Sequence, residues 1–320
     1  MKRFGSLIAL LIGVAHGVAA QEAFPTKPVR ILIGFGPGSG TDIIARMLAE
    51  EFREAFGQAF IVDNRPGASA QIAATMVAKA PADGYTLLLT SNSSHSVNPH
   101  VVKNLPYDPI ADFTPIGGIG NFPFVLVVDA KVPATTPREF VSWARANKGK
   151  VNYASGSITV QIPAEALNRI EGLDATGMSY KGSPAAMIDV MSGQASFLVV
   201  DLASSQPHLK SGRLRALAVT SATRTALAPE LPTIQESLGI RDFDLAAWTG
   251  LFGPKGTPVN VVDRLSAQLL QVLAKPEMRK RMLAAGIEPT PSNPAVFAAM
   301  VKQQLEVWGK NVKLAGIEPQ

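Results

Sequence analysis

Gly34-Phe35-Gly36-Pro37-Gly38-Ser39-Gly40-Thr41-Asp42 stands between two stretches of different periodicity, and that junction decides the fold. Upstream, Val29 to Phe35 is a continuous β-branched and aliphatic run closed by glycine, the pattern of a buried strand. Downstream, Ile43, Ile44, Met47, Leu48, Phe52 and Phe56 recur at three and four. A helix over Asp42 to Phe56 is therefore predicted, capped by Thr41 or Asp42. The alternation continues with a strand at Phe60 to Val62, a helix at Gln71 to Ala80 and a strand at Thr86 to Leu89. Strands that alternate with helices argue for a parallel sheet covered on both faces.

The middle of the chain repeats this theme. Strands are predicted at Phe124 to Val128, Val151 to Ala154, Phe197 to Val200 and Leu214 to Thr220, with helices at Pro137 to Asn147, Pro163 to Ile170 and Pro184 to Ser192. The tail reads as three helices, Val259 to Ala274, Pro276 to Ala285 and Pro294 to Ala315, each opened at or near proline. No repeat and no low-complexity linker interrupts the chain, so two α/β lobes joined by more than one crossing are expected.

The glycine turn itself admits several readings. Converging backbone N–H groups and a helix N-terminus make it an anion site that needs no cationic side chain. A nucleotide P-loop would end in Lys followed by Ser or Thr, whereas this turn ends Gly40-Thr41-Asp42. A dinucleotide fingerprint starting at Gly34 or Gly36 would need glycine where Ser39 or Thr41 stands, although Asp63 ends the next strand where a ribose-binding acid would sit. A tight turn without a ligand is the remaining alternative to a carboxylate site.

Composition bounds the rest. Lys2 and Arg3 precede an apolar run from Leu7 to Val14 and small residues ending Val18-Ala19-Ala20, which reads as a signal peptide over residues 1–20, cleaved after Ala20, and a periplasmic product. The run is shorter than the roughly 20 residues a spanning helix needs. The 320 residues contain no Cys, which excludes thiolate metal sites and a disulfide framework. The formal net charge is +5, and removal of Lys2 and Arg3 brings it to +3; residues 1–20 hold no acid. That charge is dispersed, and Arg279-Lys280-Arg281 lies on a helical pattern, so nucleic acid is not an expected partner.

Pro25-Thr26-Lys27-Pro28-Val29-Arg30 leading into the glycine turn, followed by Thr41-Asp42-Ile43-Ile44-Ala45-Arg46, resembles the Bug family, the extracytoplasmic receptors of tripartite tricarboxylate transporters. Further blocks agree in order: Asp63-Asn64-Arg65-Pro66-Gly67-Ala68, Ala82-Asp83-Gly84-Tyr85-Thr86-Leu87, Leu105-Pro106-Tyr107-Asp108-Pro109, Tyr180-Lys181-Gly182, Pro207-His208-Leu209-Lys210-Ser211-Gly212 and Gly253-Pro254-Lys255-Gly256-Thr257-Pro258. The resemblance implies a type II periplasmic-binding-protein fold, with two α/β lobes around a ligand cleft. Residues 22–123 and 248–320 would form lobe 1, and 124–247 lobe 2. It also implies a monomer that binds a small carboxylate and delivers it to membrane transporter subunits, with no cofactor and no metal.

Within that frame, Phe35, Gly36, Gly40, Thr41 and Asp42 are expected to line one wall, with Asp42 suited to capping the helix. Gly67 and Ala68 would give close backbone approach, and Ser91, Asn92 and Ser93 neutral donors. From the second lobe, Ser155, Ser157, Thr159, Lys181, Gly182 and Asp201 are the candidates, with capping the alternative role for Asp201. Here the chain departs from the family pattern, which is richer in glycine and carries a His where Ile162 or Pro163 stands; the more apolar loop points to a ligand with a hydrophobic or aromatic body. Trp248 would either close the cleft by stacking or belong to the core.

Catalysis is not expected. Beyond the leader the chain has only His95, His100 and His208, no Gly-x-Ser-x-Gly elbow, and no His pair at helical spacing. A periplasmic ligand-sensing adaptor for a signalling kinase shares the same binding chemistry. A dinucleotide-dependent oxidoreductase is the enzyme alternative.

Overall fold

The computed structural model describes residues 24–180, 182–241 and 243–319. The predicted signal peptide lies outside these residues, as does Lys181. The chain begins with β1 (Val29–Ile33), α1 (Gly40–Phe56), β2 (Phe60–Asn64), a 3-10 turn (Ala68–Ala70), α2 (Gln71–Ala78) and β3 (Thr86–Ser91). A π-helical turn (Ser93–Val97), α3 (Asn98–Val101) and β4 (Phe113–Phe122) follow. Next come β5 (Phe124–Asp129), α4 (Pro137–Ala146), β6 (Asn152–Ser155), α5 (Ile158–Glu171), β7 (Thr176–Ser179), α6 (Ser183–Ser192), β8 (Phe197–Asp201), α7 (Leu202–Lys210), β9 (Leu214–Val219) and α8 (Ile234–Leu238). The last elements are β10 (Ala247–Pro254), α9 (Val259–Ala274), α10 (Pro276–Ala284), β11 (Glu288–Ser292) and α11 (Pro294–Leu314).

Two sheets organise two α/β lobes. The first has the order β11-β4-β10-β3-β1-β2, the second β7-β6-β8-β5-β9. Both are mixed rather than parallel throughout. The strands read from the glycine turn, β1 with β2 and β3, do pair in parallel, but β10 returns from the second sheet and inserts antiparallel between β3 and β4. Likewise β5 is antiparallel to both β8 and β9. The chain changes sheets at Pro123, between β4 and β5, and again between β9 and β10.

Helix α1 buries Ile44, Leu48 and Phe52 against Ile31 and Ile33 of β1, which fixes its N-terminus at the end of that strand. Helix α11 serves both cores. Its Phe297 and Val301 pack with Trp248 and Phe252 under the first sheet, whereas Trp308 and Val312 join the cluster around Phe140 and Phe197 of the second. Trp248 is a core residue, 2% exposed, and is set edge-on to Phe297. Helix α5 starts at Ile158, five residues before the predicted Pro163. Proline is tolerated inside it because the missing N–H costs one bond near the helix start, and the shift turns a predicted loop at Ser157 to Thr159 into a helix N-terminus.

Candidate functional site

The first wall is the glycine turn. Ser39, not Thr41 or Asp42, caps α1: its hydroxyl accepts from the Asp42 N–H at 3.2 Å. The first intrahelical bond runs from Ile43 N–H to Ser39 C=O at 2.9 Å, which leaves the Gly40 and Thr41 N–H groups for an outside acceptor. The Asp42 carboxylate is spent inside the turn, accepting from Gly38 N–H at 2.9 Å, Arg46 Nε at 3.0 Å and Asn64 Nδ2 at 3.0 Å. Burial pushes its carboxyl up, but the hydrogen bonds from Arg46, Gly38 and Asn64 and the Arg46 charge outweigh that and hold it below the usual carboxylate range. Asn64 Nδ2 also donates to Phe35 C=O at 3.0 Å, so one amide ties β2 to both ends of the turn.

Beside this turn, Ala68, Ser69 and Ala70 carry φ of 44°, 52° and 70° in succession. Left-handed backbone costs roughly 1–2 kcal/mol per non-glycine residue, and such strain gathers at binding loops. Gly34 makes room for it, because a Cβ there would stand 2.2 Å from Ala70 Cβ. Asp63, the candidate ribose acid, is held by Arg30 at 2.5 Å and Arg65 at 2.8 Å. The Arg30 hydrogen bond is the main reason its carboxyl lies below the ordinary range. It is therefore engaged at the sheet edge rather than held free for a ribose.

The floor is the end of β3. Asn92 is fully buried, and neither its Nδ2 nor its Oδ1 has a hydrogen-bond partner among the described residues. Native proteins pair nearly all buried polar side chains, so an orphaned amide demands a functional account. Next to it, Ser93 Oγ meets Thr159 Oγ1 at 3.5 Å, a bridge from the first lobe to the second. Below the floor, His95 stacks on Phe252 at 4.2 Å and shares Nδ1 with Ser94 Oγ at 2.9 Å. Burial pushes its imidazole down to about 3, so it is a neutral core group.

The second wall comes from three helix N-termini. Ser157 precedes α5 without a side-chain cap, and the first intrahelical bond is Gln161 N–H to Ser157 C=O at 3.0 Å. The Thr159 and Val160 N–H groups therefore lack intrahelical acceptors. Gly182, with φ of 98°, opens α6, and Gly156 lets it approach, since a Cβ on Gly156 would stand 2.3 Å from Ser183 N. Asp201 caps α7, its Oδ1 accepting the Ser204 N–H at 2.8 Å.

Together these elements enclose a cavity of about 540 Å³. Its walls include Phe35, Gly40, Thr41, Ser91, Asn92, Ser93, Ser157, Thr159 and Asp201 from the sequence reading. No Lys or Arg is among the described residues that line it, and Asp201 is its one carboxylate. Four helix N-termini of α1, α5, α6 and α7 thus supply the positive potential, through backbone N–H groups rather than side chains.

The remaining candidates do not line the cavity. Gly36 turns its carbonyl to Ser39 N–H at 3.2 Å within the loop. Asp42 is held by its three donors. Gly67 and Ala68 are exposed and shape the turn that presents Ser69 instead. Ser155 is a β6 residue paired with Ser179, its carbonyl bonded to Tyr180 N–H. Gly182 sets the backbone that delivers Ser183 to the wall. Sequence reasoning missed Ser39, Ser69, Ser183 and Ser204, and the apolar surfaces of Phe122, Phe124, Val160, Ala203, Ala247 and Ala285. Phe122 and Phe124 flank the crossover at Pro123, a signal that was present in the sequence.

The family model for the tripartite tricarboxylate transporter family receptor matches residues 44–317. BugT of Bordetella pertussis is 30% identical over 322 residues, covering 99% of this chain and 98% of its own. Among solved structures, a protein of R. palustris with adipate is 33% identical, covers 93% of this chain and 100% of its own, and superposes with a TM-score of 0.81. MatC of Rhodopseudomonas palustris, solved with bound malate, is 29% identical, covers 90% and 100%, and gives a TM-score of 0.75.

Proposed function

The chain belongs to the tripartite tricarboxylate transporter receptor family, and on that premise we propose that it is an extracytoplasmic receptor that captures a small carboxylate between its lobes for a membrane transporter. Receptors of this family are solute-binding proteins and not enzymes. One observation carries the choice of ligand class: a buried Asn92 amide with no partner among the described residues stands among helix N-termini whose first N–H groups lack intrahelical acceptors, in a cleft whose described lining holds no Lys or Arg. A carboxylate supplies what these groups lack. Hydrogen bonds to an ionised group are about twice as strong as neutral ones.

In this reading the carboxylate head accepts from Gly40 N–H, Thr41 N–H and hydroxyl, and the Asn92 amide, while Thr159 and Val160 N–H groups approach from the second lobe. The body of the ligand lies against Phe35, Phe122, Phe124 and Val160. Adipate and malate, found with two related proteins, support the carboxylate class, and the apolar surfaces here favour a body with hydrocarbon character. Residues 22–123 and 248–320 would move against 124–247, with α11, which packs on both cores, spanning the boundary, and closure is favoured because contacts such as Ser93 to Thr159 exist only when the lobes meet. The receptor is exported through cleavage after Ala20 and acts as a monomer in the periplasm.

The test is a thermal-shift screen of ligand-stripped protein over aliphatic and aromatic carboxylates, amino acids and dinucleotides. A ligand that binds only the folded state raises its melting temperature. A saturable shift with one carboxylate class is expected; a response to dinucleotides alone would overturn the proposal.

A further inference from the structure

We infer that Asp201 sets which carboxylates the cleft accepts, selecting those whose far end carries an ammonium group and rejecting those with a second carboxylate. The inference rests on the carboxylate reading above and concerns the end of the ligand opposite the captured head. Around the first wall each acid is matched by a cation: Asp42 by Arg46 at 2.9 Å, and Asp63 by Arg30 and Arg65. Asp201 is not so matched. Its Oδ1 accepts the Ser204 N–H at 2.8 Å, its Oδ2 has no hydrogen-bond partner among the described residues, and no Lys or Arg is among the described residues of the cavity it lines. The start of α7 contributes only about half a positive charge. This corner therefore keeps a net negative charge, while the Gly40 and Thr41 corner is positive.

The wall between the two corners is hydrocarbon. The Phe122 ring lies against Gly40, where a Cβ would stand 2.4 Å from it. Two residues on, Phe124 is the register partner of Asp201 across β5 and β8. Directly opposed residues of an antiparallel pair turn their side chains to the same face. The cavity wall thus runs from the first N–H groups of α1, over two phenyl rings, to the Asp201 carboxylate. An ω-amino carboxylate presents the complementary groups in the same order. Lobe closure sharpens the discrimination. Stripping water from the half-buried Asp201 carboxylate is unfavourable unless a cation accompanies it, which a ligand ammonium supplies and a second carboxylate makes worse by like-charge repulsion.

The experiment titrates ligand-stripped protein by calorimetry with trios matched in chain length: butyrate, γ-aminobutyrate and succinate; valerate, δ-aminovalerate and glutarate; caproate, ε-aminocaproate and adipate. At the length that spans the cavity, the ω-amino acid should bind about tenfold or more tighter than the dicarboxylate, with the monocarboxylate between them, since Asp201 attracts one far end and repels the other. Asp201→Asn removes the charge and keeps the α7 cap, because Asn serves at that position as well as Asp. It should shrink the ratio of ω-amino acid to dicarboxylate affinity by about tenfold or more. Dicarboxylates bound by the parent as tightly as the ω-amino acids at every length would overturn the inference and leave the carboxylate site intact. A preference that Asp201→Asn leaves unchanged would overturn it equally. The parent comparison decides without the variant should Asp201→Asn fail to fold. Binding of some other carboxylate, but of no member of these trios, overturns this inference alone; no binding by any carboxylate overturns the receptor reading together with it.

Discussion

Replacing Asn92 by leucine should make the empty protein more stable and the receptor worse. The two side chains are of similar size, and Asn92 is fully buried with both amide atoms unpaired among the described residues. A buried polar group without a partner costs about 1–3 kcal/mol, which Asn92→Leu removes. The same substitution deletes a donor to a carboxylate, and hydrogen bonds to charged groups contribute about 1.5–3 kcal/mol. At about 1.4 kcal/mol per factor of ten, affinity should fall between roughly tenfold and a hundredfold. Urea unfolding without ligand measures the first effect and calorimetric titration of the ligand found by screening the second. The opposite signs are the diagnostic. An Asn92→Leu protein that unfolds at lower urea than the parent and binds with unchanged affinity would show that the amide is a structural group, and the reasoning from its isolation would be refuted.

Three further outcomes follow from the same geometry. Thr41→Val replaces a hydroxyl at the head of α1 by a methyl and should weaken carboxylate binding by about 1–3 kcal/mol with little change in stability; unchanged affinity in calorimetry would remove Thr41 from the site. Gly34→Ala drives a Cβ into Ala70 and should cost about 1–3 kcal/mol in urea unfolding through overpacking, with a parallel loss of ligand affinity as the strained turn shifts. His95 is held down to about 3 by burial, against about 6.5 when unfolded, so below pH 6.5 the unfolded chain binds a proton that the folded one does not. Stability should therefore fall by about 1.4 kcal/mol per pH unit from roughly pH 6.5 towards 3 on this account. His95→Phe should remove that increment from urea curves taken between about pH 7 and 4.5, leaving the shallower loss due to Asp42 and Asp63, whose lowered carboxyls protonate only at more acid pH. Parallel pH profiles for parent and variant would contradict this.

The strand, glycine turn and helix at Val29 to Phe56 were legible because buried strands and amphipathic helices write their periods directly into the sequence. The proposal that the turn is an anion site rests on chemistry that needs only glycines and a helix start. Other parts were hidden for identifiable reasons. Strand β4 contains Thr114-Pro115-Ile116-Gly117-Gly118, a run that reads as a turn. Its glycines admit Leu269 and Ser292 at close range, a tertiary demand that overrides strand propensity. Pro163 masked the true start of α5, and with it the N–H groups of Thr159 and Val160. Residues such as Ser69 and Ser183 enter the wall through neighbouring backbone that is left-handed or glycine-driven, and no side-chain pattern announces such a conformation. The apolar surfaces of Ala203 and Ala285 become visible only when two lobes meet, because they are 82 positions apart in the chain (285 − 203).

The central claim is that backbone and amide donors in the cleft recognise a carboxylate charge. It is tested most directly by calorimetric titration of ligand-stripped protein with the carboxylate that gives the largest thermal shift and with its neutral carboxamide analogue. The account predicts saturable one-site binding of the acid and a loss of at least about tenfold for the amide, since the strength of a charge-assisted hydrogen bond depends on the ionised acceptor. Equal affinity for the two would contradict it.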